Sequence, residues 1–401
     1  MVLAGIISEF NPFHSGHAFL VGQARRNGAT HVAAVMSGNF VQRGDAAVLS
    51  KWARTRQALL CGVDLVVELP LPWATAGAEK FAWGGVSLLN ALDADVIAFG
   101  SECGSVPRLE QAAEALSSPR LGTAMRGALE SGAAFASARQ EALRSLFGDE
   151  TADLFRDPNN ILAIEYLKAM RKSGSTLSPF TVKREGAPHD SGAESGRFAS
   201  SARIRALLEN GEDCSSFLPG GAGEILRAET EAGRAPASLL RAERAVLAKL
   251  RGMDAESFAA LPDVSEGLEN RLRKAVRKAG TLEELYGLVK TKRYSHARIR
   301  RIVLSAFLGT EASRSEGDPP YLRVLGFNSR GKEILRAVKG TAAPPVVTQS
   351  SDLQYLDNRA RNMLQLESRS TDLFALCMPE AGPCGLDRTT GIISIEPVLQ
   401  K

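Results

Sequence analysis

Short apolar runs alternate with helical spacing over the first 185 or so residues. Residues 2–7, 30–36, 63–69 and 94–100 are dense in Val, Ile, Leu and Ala, the composition of strands buried on both faces, and 176–183 offers a fifth strand. Between them, 18–26, 51–61, 78–92 and 108–116 carry apolar residues at helical spacing. Strands alternating with helices predict an α/β fold: a Rossmann-like parallel sheet with helices on both faces. Ligands of such sheets bind beyond the carboxyl ends of the strands, here residues 14–17, 37–39, 68–70 and 100–102. Residues 186–197 read as a loop and 201–209 as a helix. The run Pro219-Gly220-Gly221-Ala222-Gly223 is a break, and it divides the chain into domains 1–220 and 221–401. The second is mainly α-helical to residue 308. After a polar linker at 309–320 comes a small α/β segment at about 321–348, with a strand at 321–327, a helix at 331–339 and an edge strand at 343–347.

Composition narrows the class. The chain has 401 residues, 44% hydrophobic and 23% charged, an ordinary soluble balance. No apolar run approaches the roughly 18 residues of a membrane span. The N-terminus lacks a basic stretch followed by a cleavage site, so no signal peptide is expected. Cys61, Cys103, Cys214, Cys377 and Cys384 are odd in number and scattered, with no CxxC pair. That argues against a disulfide framework and structural zinc, and for a reducing, cytoplasmic setting. The net charge is only +4, but its distribution is uneven. Lys290, Lys292, Arg293, Arg298, Arg300 and Arg301 fall within twelve positions that hold no acid, just after Arg271, Arg273, Lys274, Arg277 and Lys278. Such a one-sided patch suits RNA phosphates, and Tyr294 and His296 are placed to stack on bases.

The densest chemistry lies at Asn11-Pro12-Phe13-His14-Ser15-Gly16-His17, between the first strand and the first helix. A helix N-terminus offers unpaired N–H groups to an anion, Gly16 permits close approach, and two imidazoles add donors. Four further stretches fit a nucleotide site. In 36–45, Asn39, Gln42 and Arg43 follow a strand end. In 50–56, Lys51, Arg54 and Arg56 open a helix, where cations oppose the dipole unless an anion compensates. In 198–205, Ser200 and Ser201 stand at a helix start with Arg203 and Arg205. Asp157-Pro158-Asn159-Asn160 and Thr181-Val182-Lys183-Arg184 supply amides and a guanidinium. Each has a plainer reading as a capped turn, a βα loop or a solvated face.

The first run resembles the HxGH signature of the nucleotidylyltransferase superfamily. Together with Glu9-Phe10, Val35-Met36-Ser37-Gly38-Asn39-Phe40-Val41-Gln42-Arg43-Gly44, Ser50-Lys51-Trp52-Ala53-Arg54, Phe99-Gly100-Ser101-Glu102 and Pro158-Asn159-Asn160-Ile161-Leu162, it resembles the bacterial tRNA(Met) cytidine acetate ligases. The resemblance covers most of residues 1–205 and is general beyond. It implies a ligase that activates acetate with ATP and makes N4-acetylcytidine at the wobble position of elongator tRNA(Met). It implies ATP contacts at Ile7, Ser8, Glu9, Phe10, Asn11, Pro12, Phe13, His14, Ser15, Gly16, His17, Ala18, Phe19, Leu20, Gly100, one of Asn159 and Asn160, and Arg184. A second superfamily signature adds Ser200, Ser201 and Arg205, with Ala202 where the pattern has Thr. Catalytic roles fall to His14, His17 and Lys51, with no protein-bound metal expected and Mg2+ left open, as is the oligomeric state. The basic run from 290 to 301 is the expected tRNA contact. Two other readings stay open: a small-molecule adenylyltransferase of the same superfamily, and a non-catalytic RNA-binding relative.

Overall fold

The computed structural model describes residues 1–131, 133, 135–184, 198–265, 267–338 and 344–395. The loop expected at 186–197 lies outside them, as do Lys339 and Ala343 at the ends of two expected elements. Among the described residues ten strands form in chain order: β1 (Leu3–Ser8), β2 (His31–Ser37), β3 (Phe40–Val41), β4 (Asp45–Ala46), β5 (Leu65–Leu69), β6 (Val96–Ser101), β7 (Ser178–Lys183), β8 (Leu322–Phe327), β9 (Val346–Val347) and β10 (Ile393–Ser394). The main sheet runs β10-β8-β5-β2-β1-β6-β7, with β9 also on β8. From β5 to β7 every pair is parallel, as the alternation predicts.

Alternation along each strand sends side chains to opposite faces. Leu3, Ile7, Val35, Val67 and Ile97 pack with the helices Ala78–Ala91 and Pro158–Ser173, while Ala4, Ile6, Val32, Ala34 and Val66 pack with Ser15–Arg26 and Lys51–Leu60. Gly5 and Gly85 let the Ala78–Ala91 helix close on β1. A Cβ at Gly85 would sit 2.6 Å from Ile7 Cδ1, and one at Gly5 would strike Leu89.

The C-terminal part returns to this sheet. The β8 strand pairs antiparallel with β5, Glu68 opposite Arg323, and β10 pairs with β8. The segment expected as an α/β tail therefore extends the same sheet as the N-terminal strands. The break at 219–223 is likewise a helix start: Gly220–Glu231 packs on Lys51–Leu60, with Gln57 Nε2 donating to Ala222 O at 2.8 Å and Arg56 pairing with Glu229 at 2.7 Å. Among the described residues no helix is long and apolar enough to cross a membrane.

Candidate active site

The HxGH run folds as a helix start. His14 is the N-cap of Ser15–Arg26: its Nδ1 accepts from Gly16 N at 3.1 Å, and His17 Nδ1 accepts from His14 N at 3.2 Å. This reciprocal arrangement is a capping box built from two histidines. Because both Nδ1 atoms accept, the hydrogen-bond network assigns the proton to Nε2 on each ring. His14 Nε2 lies 2.9 Å from Ser201 Oγ. The rings stack at 3.8 Å, and Phe10 and Phe13 wall His17. Burial, then the nearby Arg184 and Arg205 guanidiniums, push the His14 imidazole down to about 3; burial, then His14 and Arg184, hold His17 well below its ordinary value. Both rings are neutral donors at physiological pH.

Ser201 opens the helix Ser201–Glu209, capped by Ser200 Oγ accepting from Arg203 N at 3.2 Å. Two helix N-termini thus meet at the His14–Ser201 contact, and neither has an acid in its first turn. Arg205 Nη1 donates to Asn11 O at 2.9 Å. Arg184 follows β7, with its Cγ beside Gly100. Helix dipoles, neutral N–H donors and two guanidiniums form an electropositive corner at the carboxyl edge of the sheet.

The other expected residues divide. Within 7–20, Ile7, Phe10 and Phe13 are buried in the core, Asn11 Oδ1 accepts from Val48 N at 2.8 Å and Ser15 Oγ donates to Phe217 O at 2.9 Å, so these side chains are engaged by the protein itself. Asn160 is buried, its Oδ1 accepting from Cys103 N at 2.9 Å and its Nδ2 donating to Asp157 at 3.3 Å. Asn159 Nδ2 donates to Glu102 at 2.6 Å, which leaves the Asn159 carbonyl oxygen as the acceptor nearer solvent. Glu102, which also accepts from Asn160 N at 2.9 Å, organises this corner. Its position directly after a strand end was the signal for it.

Lys51 is placed differently from the expectation. Its ammonium is fully buried, 2.8 Å from Glu68 and 2.6 Å from Asp387, and Arg323 completes the network on Glu68 at 3.3 Å and Asp387 at 2.8 Å. Arg54 is equally buried, donating to the carbonyls of Leu49, Glu9, Ser37 and Gly38. The cations that open this helix are compensated by the protein's own acids and carbonyls, not by a ligand. Asn39 is spent too, accepting from Lys51 N at 2.8 Å and donating to Thr371 at 3.2 Å.

The basic run is partly consumed. Arg301 pairs with Asp263 at 3.1 Å, and Arg298 donates to Asp263 O at 2.7 Å and Ser265 Oγ at 2.9 Å while lying over the Tyr294 ring. Tyr294 is buried, so it does not offer its face to a base. Arg271 caps the helix Leu282–Val289 through the Leu288 and Val289 carbonyls, both at 2.8 Å. Lys290, Lys292 and Arg293 are exposed, and Arg300 lies over Tyr286.

The fold and this corner define a nucleotidyltransferase, and residues 1–385 match the HIGH Nucleotidyl Transferase family. The chain is 40% identical over 397 residues to the tRNA(Met) cytidine acetate ligase of Thermoanaerobacter sp. (strain X514), covering 96% of this chain and 98% of that one. It is 36% identical over 413 residues to that of Acetivibrio thermocellus, covering 98% and 100%. The crystal structure of Thermotoga maritima TmcAL in its apo form I superposes with a TM-score of 0.93 at 32% identity, covering 99% and 100%. The same protein bound with alpha-thio ATP superposes at 0.92 over the same shares. The chain belongs to the tRNA(Met) cytidine acetate ligase family of HIGH nucleotidyltransferases.

Proposed function

We propose that this protein condenses acetate with ATP at the His14–Ser201 corner and transfers the acetyl group to N4 of the wobble cytidine of elongator tRNA(Met). The meeting of two acid-free helix N-termini at two neutral imidazoles carries the reading. An acetate oxygen attacks the α-phosphorus, the bond to pyrophosphate breaks, and negative charge builds on the phosphoryl oxygens. Donors fixed before the reaction stabilise that charge. His17 Nε2–H serves the α-phosphate, while Ser201, Arg205 and Arg184 hold the departing phosphates and the nucleotide. Acetate is already anionic and needs no general base. In the second step the cytosine N4 attacks the acetyl carbon, AMP leaves with the electrons of the acyl C–O bond, and the N4 proton passes to solvent.

The relatives' names support tRNA(Met) and acetate, and the bound alpha-thio ATP of the Thermotoga maritima protein supports ATP. The exposed Lys290, Lys292 and Arg293 are the proposed phosphate contacts for the tRNA. Labelled acetate incubated with ATP and a tRNA(Met) transcript tests the reading: label in N4-acetylcytidine together with AMP release is the expected result. Label transferred only from acetyl-coenzyme A, or AMP formed with no acetylated tRNA, overturns it.

A further inference from the structure

We propose that Gln42, at the tip of the β3–β4 hairpin, reads the Watson–Crick edge of the acceptor cytosine together with Glu9. This deepens the proposed acetyl transfer and rests on it. The hairpin follows β2 at the carboxyl edge of the sheet, beside the motif that follows β1. Glu9 precedes that motif; its Oε1 accepts from Gln42 N at 2.9 Å, and its carbonyl is fixed by Arg54 Nη1 at 2.6 Å. Gly44 turns the hairpin at φ +77°, and a Cβ there would lie 2.5 Å from the backbone carbon of Arg300. The tip is therefore wedged between the adenylation corner and the helix His296–Leu308, which follows directly on the exposed basic residues.

Within this wedge Gln42 Nε2 is buried and has no hydrogen-bond partner among the described residues. A buried donor left unpaired is unfavourable, and a water or a ligand group can bring the acceptor. Asn39, the other amide of the loop, is already committed. Cytosine presents an N4 amine donor next to the N3 and O2 acceptors. The Gln42 amide can donate to N3 or O2 while Glu9 Oε2 accepts one N4–H, which holds the amine beside the acetyl-adenylate. Uracil presents the inverse pattern, an O4 acceptor beside an N3–H donor, and so opposes carboxylate to carbonyl and N–H to N–H.

The experiment compares binding of tRNA(Met) transcripts carrying C34 or U34 to the full-length wild-type protein, Gln42→Ala and Gln42→Glu, with acetate-dependent AMP formation assayed in parallel without tRNA. Wild type is expected to prefer C34 by about 10-fold or more, the scale of one well-placed base-edge pair. Both variants are expected to lose most of that preference and to keep AMP formation, because Gln42→Glu preserves size and removes the donor. An unchanged C34 preference in Gln42→Ala, a wild-type-like Gln42→Glu, or a parallel loss of AMP formation overturns the inference. Failure of the wild-type protein to acetylate tRNA overturns the underlying function instead, so the two failures are separable.

Discussion

His14 Nε2 and Ser201 Oγ, 187 positions apart in the sequence, lie 2.9 Å from each other. The contact joins the N-cap of one helix to the first residue of another, and the His17 ring stacks on His14 beside it at 3.8 Å. In the proposed reaction His17 is the donor that serves the α-phosphate. His17→Ala should lower acetate-dependent AMP formation by about 10²–10³-fold, the usual cost of removing one preorganised donor. His14→Ala should do the same and also cost about 1 kcal/mol of stability through the lost cap. Pyrophosphate exchange and thermal melting of both variants check this, and wild-type AMP formation in the His14→Ala, His17→Ala double variant would remove the site assignment.

The parallel sheet, the candidate site at its carboxyl edge and the helix Ser201–Glu209 were legible because they rest on local patterns: buried runs, turn residues and caps. The return of β8 to the sheet was not, since antiparallel pairing of 322–327 with 65–69 is a long-range choice that no local spacing encodes. Lys51 misled for a related reason. A cation in a helix's first turn calls for a compensating anion, but sequence does not say whether that anion is a ligand or, as here, Glu68 and Asp387 from distant elements.

That burial makes Lys51 a stability residue. Burial works to raise the Asp387 carboxyl, yet Lys51 and Arg323 outweigh it and hold it well below the usual range. Lys51→Met removes one cation and leaves Glu68 and Asp387 with only Arg323. Breaking a buried pair in this way costs about 3–5 kcal/mol. Denaturant unfolding should show that loss, while the folded fraction keeps acetate-dependent AMP formation; an unchanged midpoint would contradict the network.

Two buried groups give opposite pH signatures. Glu367 is pushed up to about 8 by burial and by Glu68. Its folded form binds a proton more tightly than the unfolded chain, so its contribution is fully present below an unfolded value near 4.5 and is lost as pH rises through 8. His14, pushed down to about 3 from 6.5, behaves inversely: stability is lost as pH falls below 6.5. Glu367→Gln should therefore gain melting temperature relative to wild type as pH rises from 5 to 9. His14→Asn should instead gain relative to wild type as pH falls from 7 to 4. A pH-independent difference in either case would mean that the group does not titrate as its surroundings dictate.

The basic segment separates into cations that face solvent and cations that hold the fold. Lys290 and Lys292 are exposed, Arg293 is exposed but also engaged by the protein, and Arg301 is bound to Asp263. Each phosphate contact releases counterions and adds about 0.7 to 0.9 to the slope of log affinity against log salt. Replacing Lys290, Lys292 and Arg293 together with Ala should weaken tRNA binding and flatten that slope by up to about 2 to 3. Acetate-dependent AMP formation without tRNA should survive, because the adenylation corner lies on other elements. Arg301→Ala should leave the slope nearly unchanged and cost at most about 1 kcal/mol, as expected for a partly exposed pair. Affinity measured at several salt concentrations decides between them: equal slopes for the triple variant and wild type would mean that the tRNA backbone is held elsewhere, and a flattened slope in Arg301→Ala would mean that its pair with Asp263 opens on binding.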